Sequence, residues 1–160
     1  MVADFSLGDV RVVDLAPVPV AVLAHRGPPA GIGASVARFI AWRKAAGFGP
    51  GVSATYNVLY DDPEVVPPEA FRLDICAGAR AVAPNSAGVV AGLIAGGRYA
   101  VLRHVGGEEG IGAALRFLHG PWLAQSGESL RDDPAFCQRV AFAPFVPAEE
   151  AVTDIFLPLR

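Results

Sequence analysis

The sequence contains few cysteines, few charged residues and no long apolar run, and each shortage excludes a class of protein. Only Cys76 and Cys137 occur among the 160 residues, too few for a disulfide framework. Neither cysteine lies at metal-ligand spacing from any of the three histidines. We therefore predict buried, reduced thiols, no metal and no cofactor.

Charged residues make up only 18% of the chain and include no cluster of lysine or arginine. With a formal net charge of −3, the sequence lacks a basic surface for phosphate backbones, and we predict no direct contact with nucleic acid. No apolar run reaches the roughly 18 residues of a membrane span, and the segment beginning at Met1 does not resemble a signal peptide. We expect a cytoplasmic protein without a membrane partner.

The sequence is rich in apolar side chains, at 52% of residues, and a large part of it is duplicated. The run Ala-Val-Leu-Ala-His-Arg-Gly at 21–27, followed by Gly-Ile-Gly-Ala at 31–34, returns at 100–106 and 110–113. His25 and His104 give the constant offset, 104 − 25 = 79. Two similar half-domains related by a pseudo-two-fold axis are expected to enclose a cleft, which is a natural site for a ligand.

Hydrophobic periodicity predicts a corresponding helix and a corresponding closing strand in both copies. The helix of the first copy starts at Ile32, ends near Gly47, and carries an apolar stripe that includes Phe39 and Ile40. In the second copy the stripe is Ile111, Leu115, Leu118 and Trp122, and Pro121 predicts a kink or an early helix end. Strands are predicted at 10–15, 20–25, 53–60, 71–77, 89–94, 99–104 and 152–157.

These elements predict one α+β domain over residues 1–160. It consists of two pseudo-symmetric β-α-β-β repeats, at about 10–79 and 88–160. We expect the repeats to form one mostly antiparallel sheet with two helices on one face and a central cleft.

Three further segments are informative: Leu-Tyr-Asp-Asp-Pro at 59–63, Pro-Glu-Ala-Phe-Arg-Leu-Asp at 68–74, and Gly-Gly-Arg-Tyr-Ala-Val at 96–101. Their order and spacing resemble those of the GyrI-like small-molecule-binding family. The family includes gyrase inhibitory proteins and the effector-binding domains of AraC-type and multidrug-sensing regulators. The resemblance implies a hydrophobic cleft that accepts planar or amphipathic, often cationic, ligands.

The resemblance also implies a site glutamate within a Phe-Glu-x-Tyr segment. Here the corresponding residues 136–139 read Phe-Cys-Gln-Arg, so Cys137 stands in place of the glutamate and Arg139 in place of the tyrosine. The departure argues against recognition of cations. It also argues against the cyclopropanoid hydrolase activity of some relatives, because such chemistry would use a carboxylate and a hydroxyl.

We predict no catalytic residue, and a set of mainly aromatic ligand-binding residues near the expected cleft: Phe39, Trp42, Tyr56, Tyr60, Cys76, Tyr99, Leu118, Trp122, Phe136 and Cys137. His25 and His104 are interpreted as structural or surface residues, since neither has an orienting partner in the sequence. Asp74 and Asp154 lie within predicted strands of both repeats. They either line the cleft and replace the missing glutamate or face solvent, and the alternation of neighbouring residues favours solvent.

The leading hypothesis is a sensor or sequestering protein for a hydrophobic or aromatic small molecule, linked to transcription regulation or to drug and toxin resistance. A separate DNA-binding regulator would then be a partner, and the chain would be a monomer or homodimer. One alternative is a DNA gyrase inhibitory protein. Another is a cyclopropanoid-type hydrolase that uses Cys137 or a strand aspartate.

Overall fold

The computed structural model describes residues 5–160, so part of the N-terminal segment on which the signal-peptide prediction depends lies outside the described residues. The chain forms two compact units, a first unit of residues 17–94 and a second unit of residues 5–16 and 95–160. Their strands are β1 (Val10–Leu15), β2 (Val18–Arg26), β3 (Thr55–Leu59), β4 (Arg72–Gly78), β5 (Val90–Ile94), β6 (Gly97–Val105), β7 (Ala135–Ala141) and β8 (Val152–Leu159).

Both units have the same strand order. The first unit has the order β3-β4-β2-β5 and the second has β7-β8-β6-β1, with antiparallel pairing throughout each unit. Each unit thus combines three strands of one sequence repeat with the initial strand of the other repeat. The pairings of β1 with β6 and of β5 with β2 produce this exchange.

The first long helix, α1 (Ile32–Ala46), ends where the sequence predicts, because Gly47 adopts a left-handed conformation with φ 81°. Its buried side chains include Ser35, Phe39 and Trp42. Ile40, which the predicted stripe included, is 46% exposed, so that part of the prediction is wrong. The helix is rotated so that Trp42, rather than Ile40, packs in the core beside Phe39.

The second long helix changes its winding part-way along its length. It runs as α2 (Glu109–Phe117), continues as a π-helical turn from Leu118 to Trp122, and ends as the short helix α3 (Leu123–Ser126). Pro121 lies inside the π-helical turn. Since proline lacks an amide donor and clashes with the preceding turn, the wider winding accommodates it without ending the helix.

Strand alternation gives each unit a helix face and a far face. In the first unit, Leu23 and Ile75 are register partners and belong to the hydrophobic cluster that includes Phe39 and Trp42 of α1. The helix face of the second unit contains Leu102, Ile155 and Cys137, which are aligned across β6, β8 and β7. His104 lies on the same face.

The α+β class and the antiparallel arrangement are confirmed. Among the helices described between residues 5 and 160, none is both long and apolar enough to cross a membrane.

Candidate functional site

Both repeated histidines are buried and bonded to their own loops. His25 places Nε2 3.0 Å from the carbonyl oxygen of Pro28 and Nδ1 2.8 Å from Oγ of Ser35. His104 places Nε2 2.8 Å from the carbonyl oxygen of Gly107. Because a carbonyl oxygen only accepts, Nε2 of each ring carries a proton and donates it.

The repeated glycines make room for these rings. A Cβ atom added at Gly110 would lie 2.0 Å from Cε1 of His104, and one added at Gly31 would lie 3.3 Å from Cε1 of His25. The duplicated His-x-Gly and Gly-Ile-Gly-Ala runs are therefore structural parts that attach each helix start to its strand. Within residues 5–160, no group of three or more metal-ligating side chains is present.

Asp74 and Asp154 are buried, at 7% and 5% exposure, so the preference for a solvent-facing position is wrong. Both lie on the far faces, where each is paired with arginine. Asp74 accepts hydrogen bonds from Tyr60 Oη at 2.7 Å and from Arg26 Nη1 at 3.1 Å. Asp154 accepts from Nε and Nη2 of Arg103 at 2.8 and 3.0 Å. These pairs satisfy the buried charges.

Tyr60 is held as a neutral donor by this arrangement. The guanidinium carbons of Arg26 and Arg72 lie 5.3 and 5.2 Å from its ring centroid. Burial, followed by the hydrogen bond to Asp74, raises the pKa of Tyr60 to about 12. The hydroxyl therefore remains protonated at neutral pH and does not serve as a base.

The other candidate residues of the first unit lie on two faces. Phe39 and Trp42 are on the helix face, where Trp42 stacks on Phe39 and on Phe48 with both pairs of ring centroids 5.6 Å apart. Tyr56 and Cys76 are register partners on the far face. The structure therefore brings Phe39 and Trp42 together, and Tyr56 and Cys76 together, on opposite faces.

The candidates of the second unit divide in the same way. On the far face, the ring of Phe136 stacks on Phe156 at 4.4 Å, and Tyr99 meets Phe136 edge-on at 5.2 Å. The Tyr99 hydroxyl donates to the carbonyl oxygen of Ala95 at 2.6 Å, which fixes it in the structure. Leu118 and Trp122 are buried in the π-helical turn, and such turns occur frequently at functional sites.

Cys137 lies on the helix face, fully buried, and interacts electrostatically with the guanidinium of Arg139. Arg139 also donates through Nη1 to Oε1 of Glu108, the residue that immediately precedes α2. Burial acts to lower the pKa of Arg139, but Cys137 and Glu108 together raise it. The guanidinium is therefore a permanent positive charge in this part of the unit.

Sequence reasoning missed Glu108 as part of this group. The observable signal was its position at the start of the second helix, where a carboxylate is favoured. It missed Arg43 as well, a buried helix residue that donates to the carbonyl oxygens of Phe48 and Ser53 and to Thr55 Oγ1. Contacts made by a long side chain leave no periodic signature in the sequence.

Comparison with known proteins supports the expected family. Residues 8–160 match the GyrI-like small molecule binding domain. The chain is 41% identical over 153 residues to the "Probable transcriptional regulator YgiV" of Escherichia coli K12, covering 94% of this chain and 96% of that protein.

Two solved structures share the fold at low sequence identity. The crystal structure of the EcmrR C-terminal domain has a TM-score of 0.75 and 13% identity, covering 94% of this chain and 96% of that one. The structure of SAV2435 bound to tetraphenylphosphonium has a TM-score of 0.61 and 12% identity, covering 94% of this chain and 93% of that one. The chain described here belongs to the GyrI-like small-molecule-binding domain family.

Proposed function

We propose that the protein binds a hydrophobic or amphipathic small molecule and acts as a sensor or sequestering protein in transcription regulation or in drug and toxin resistance. The observation that carries this proposal is the match of residues 8–160 to a small-molecule-binding domain, because it spans nearly all of the described chain. A regulatory role is supported by the relative named as a probable transcriptional regulator. Action on DNA would then use a separate DNA-binding partner.

The geometry supports ligand binding at the helix faces better than at the far faces. On the far faces, the buried aspartates and the Tyr60 and Tyr99 hydroxyls already have protein partners. On the helix face of the second unit, the π-helical turn carries the large apolar side chains Leu118 and Trp122, both of them buried. Burial of ligand surface against such side chains contributes about 25 cal/mol per Å².

The predicted ligand-binding residues are part of this proposal, as is the cleft expected from the duplication. We give priority to the residues on the helix faces, Phe39, Trp42, Leu118, Trp122 and Cys137. Tyr56, Tyr60, Cys76, Tyr99 and Phe136 lie on the far faces and are the second set to test.

The two tryptophans provide the test. Wild-type protein is titrated with neutral, anionic and cationic hydrophobic compounds, and thermal unfolding and tryptophan fluorescence are recorded. We expect saturable quenching that is retained in Trp42→Phe and lost in Trp122→Phe. A ligand at 100 times its Kd should also stabilise the fold by about 2.7 kcal/mol.

The two readouts have different meanings. Stabilisation without any change in Trp122 emission would place the ligand away from the π-helical turn. If no compound in a broad panel stabilises the wild-type protein or changes its fluorescence, the proposed function is wrong.

A further inference from the structure

The ion pair between Arg139 and Glu108 joins two residues of very different exposure. The side chain of Arg139 is 20% exposed, whereas that of Glu108 is 77% exposed. Arg139 belongs to β7, and most of its side chain is buried. Glu108 lies in the connection just before α2, and its exposed carboxylate can move into solvent without disturbing a strand.

The pair is absent from the scaffold that the two repeats share. The positions equivalent to Glu108 and Arg139 in the first repeat are Pro29, at an offset of 79, and Leu59, at an offset of 80. Neither residue can form an ion pair. By contrast, a buried strand aspartate paired with arginine occurs in both units, through Asp74 and Asp154. The Arg139–Glu108 pair therefore has a role that the shared scaffold does not require.

Glu108, the exposed member of this pair, adds little to the stability of the fold. A solvent-exposed glutamate gains modest Coulomb energy and loses side-chain freedom when it is held in one position. The guanidinium, in contrast, is a planar donor that matches a carboxylate with two parallel hydrogen bonds. A carboxylate from another molecule could replace that of Glu108 at the same donor, while Glu108 returns to water.

We propose that Arg139 anchors the anionic group of a carboxylate-bearing amphipathic ligand, and that Glu108 occupies this position until the ligand replaces it. The inference rests on the proposed function and adds the ligand's charge to it. The apolar part of the ligand lies on the helix face, and its carboxylate accepts hydrogen bonds from the guanidinium. The start of α2 adds a favourable partial positive charge beside the same position.

Three compounds with one chain length test the charge preference: decanoate, decanol and decyltrimethylammonium. They are titrated into wild type, Arg139→Gln, Arg139→Lys and Glu108→Gln. Arg98→Gln and Glu128→Gln serve as matched controls, because that pair is bidentate with both oxygens of Glu128 and lies elsewhere in the same unit. Thermal unfolding of each variant checks that it remains folded.

We expect wild type to bind decanoate about tenfold more tightly than decanol, as a charge-assisted hydrogen bond implies. Arg139→Gln should remove this preference without weakening decanol, and Arg139→Lys should restore part of it. Glu108→Gln should tighten decanoate binding about fivefold, since the competing carboxylate is gone. The two control variants should behave as wild type.

The failures are distinguishable. If decanol and decanoate bind with equal affinity, or if Arg139→Gln keeps the preference for decanoate, the anionic ligand class is wrong while small-molecule binding stands. A preference for decyltrimethylammonium would likewise overturn the inference alone. If none of the three compounds binds any variant, this inference fails, and the broad compound panel decides separately whether small-molecule binding fails with it.

Discussion

The substitution Gly110→Ala should destabilise the fold strongly, although alanine is a better helix former than glycine. The added Cβ would lie 2.0 Å from Cε1 and 2.3 Å from Nε2 of His104. Ordinary carbon contacts are near 3.5 Å, so the ring must move by about 1.5 Å. That movement breaks the 2.8 Å hydrogen bond from Nε2 to the carbonyl oxygen of Gly107.

The cost follows from these two effects. Overpacking a buried site costs about 1–3 kcal/mol, and leaving buried polar groups without partners costs about 1–3 kcal/mol. The helix gains at most about 1 kcal/mol from the loss of glycine. We expect a net loss of about 1–5 kcal/mol in the free energy of unfolding, measured by urea denaturation followed by circular dichroism.

The matched control is Gly112→Ala, two residues along the same helix. Its Cβ would meet only the terminal atoms of Arg116, at 3.3 Å or more, and a flexible side-chain end can rotate away. This variant should be neutral or slightly more stable than wild type. In a His104→Ala background, Gly110→Ala should also lose its penalty, because the ring is absent. Equal effects of the two glycine substitutions, or an unchanged penalty without His104, would refute the steric argument.

Three further predictions concern buried and charged groups. Arg43→Met should reduce the free energy of unfolding by about 2–4 kcal/mol in urea denaturation, because three backbone or hydroxyl acceptors lose their donor; a loss below 0.5 kcal/mol would contradict this. The hydrogen bond from Arg98 lowers the pKa of Glu128 in the folded protein. The pair should therefore stabilise the fold when the pH is above the ordinary carboxyl pKa. This contribution should be lost as the pH falls through the lowered pKa of Glu128 in the folded state. Glu128→Gln should therefore flatten the loss of stability below about pH 4 in acid titrations, and an unchanged slope would show that the pair contributes nothing. Cys76 and Cys137 are both fully buried, so neither thiol should react with a coloured disulfide reagent until urea is added; rapid reaction of either in native buffer would be contrary to the structure.

The two proposals concern different properties of the helix face in the second unit. The proposed binding of an apolar molecule would depend on the buried side chains Leu118 and Trp122, whereas the proposed preference for an anion would depend on Arg139 and Glu108. A neutral ligand with no charge preference would support the first proposal and refute the second. The three compounds have equal chain length, so they separate the contribution of apolar surface from the contribution of ligand charge.

Much of the fold was predictable because local signals are strong. Gly47 ended α1 as expected, and the closing strand β8 contains the predicted run 152–157. The error at Ile40 has a physical cause, since an apolar stripe specifies a face only to within about one residue of rotation. Packing of Trp42 between Phe39 and Phe48 then decided which side of the helix is buried.

The candidate site was less predictable, because its members interact across long sequence separations. The alternation of apolar neighbours predicts a solvent-facing Asp74, and its partner Arg26 lies far away in the chain and leaves no periodic trace. Glu108 and Arg139 likewise meet across 31 positions. Tertiary packing supplies such contacts, and a single sequence does not show which distant residues it brings together.

The sequence by itself determined the duplication, the α+β class, most element positions and the family, because these depend on local periodicity and on motifs at fixed offsets. Only the tertiary structure decided that each unit contains the first strand of the other repeat, since strand pairing is a non-local choice. It also decided that the repeated histidines are buried rather than at the surface, and that the differing segment around Cys137 carries a guanidinium paired with Glu108. These results depend on which backbone groups and charges lie within hydrogen-bonding distance, and that distance is set by packing.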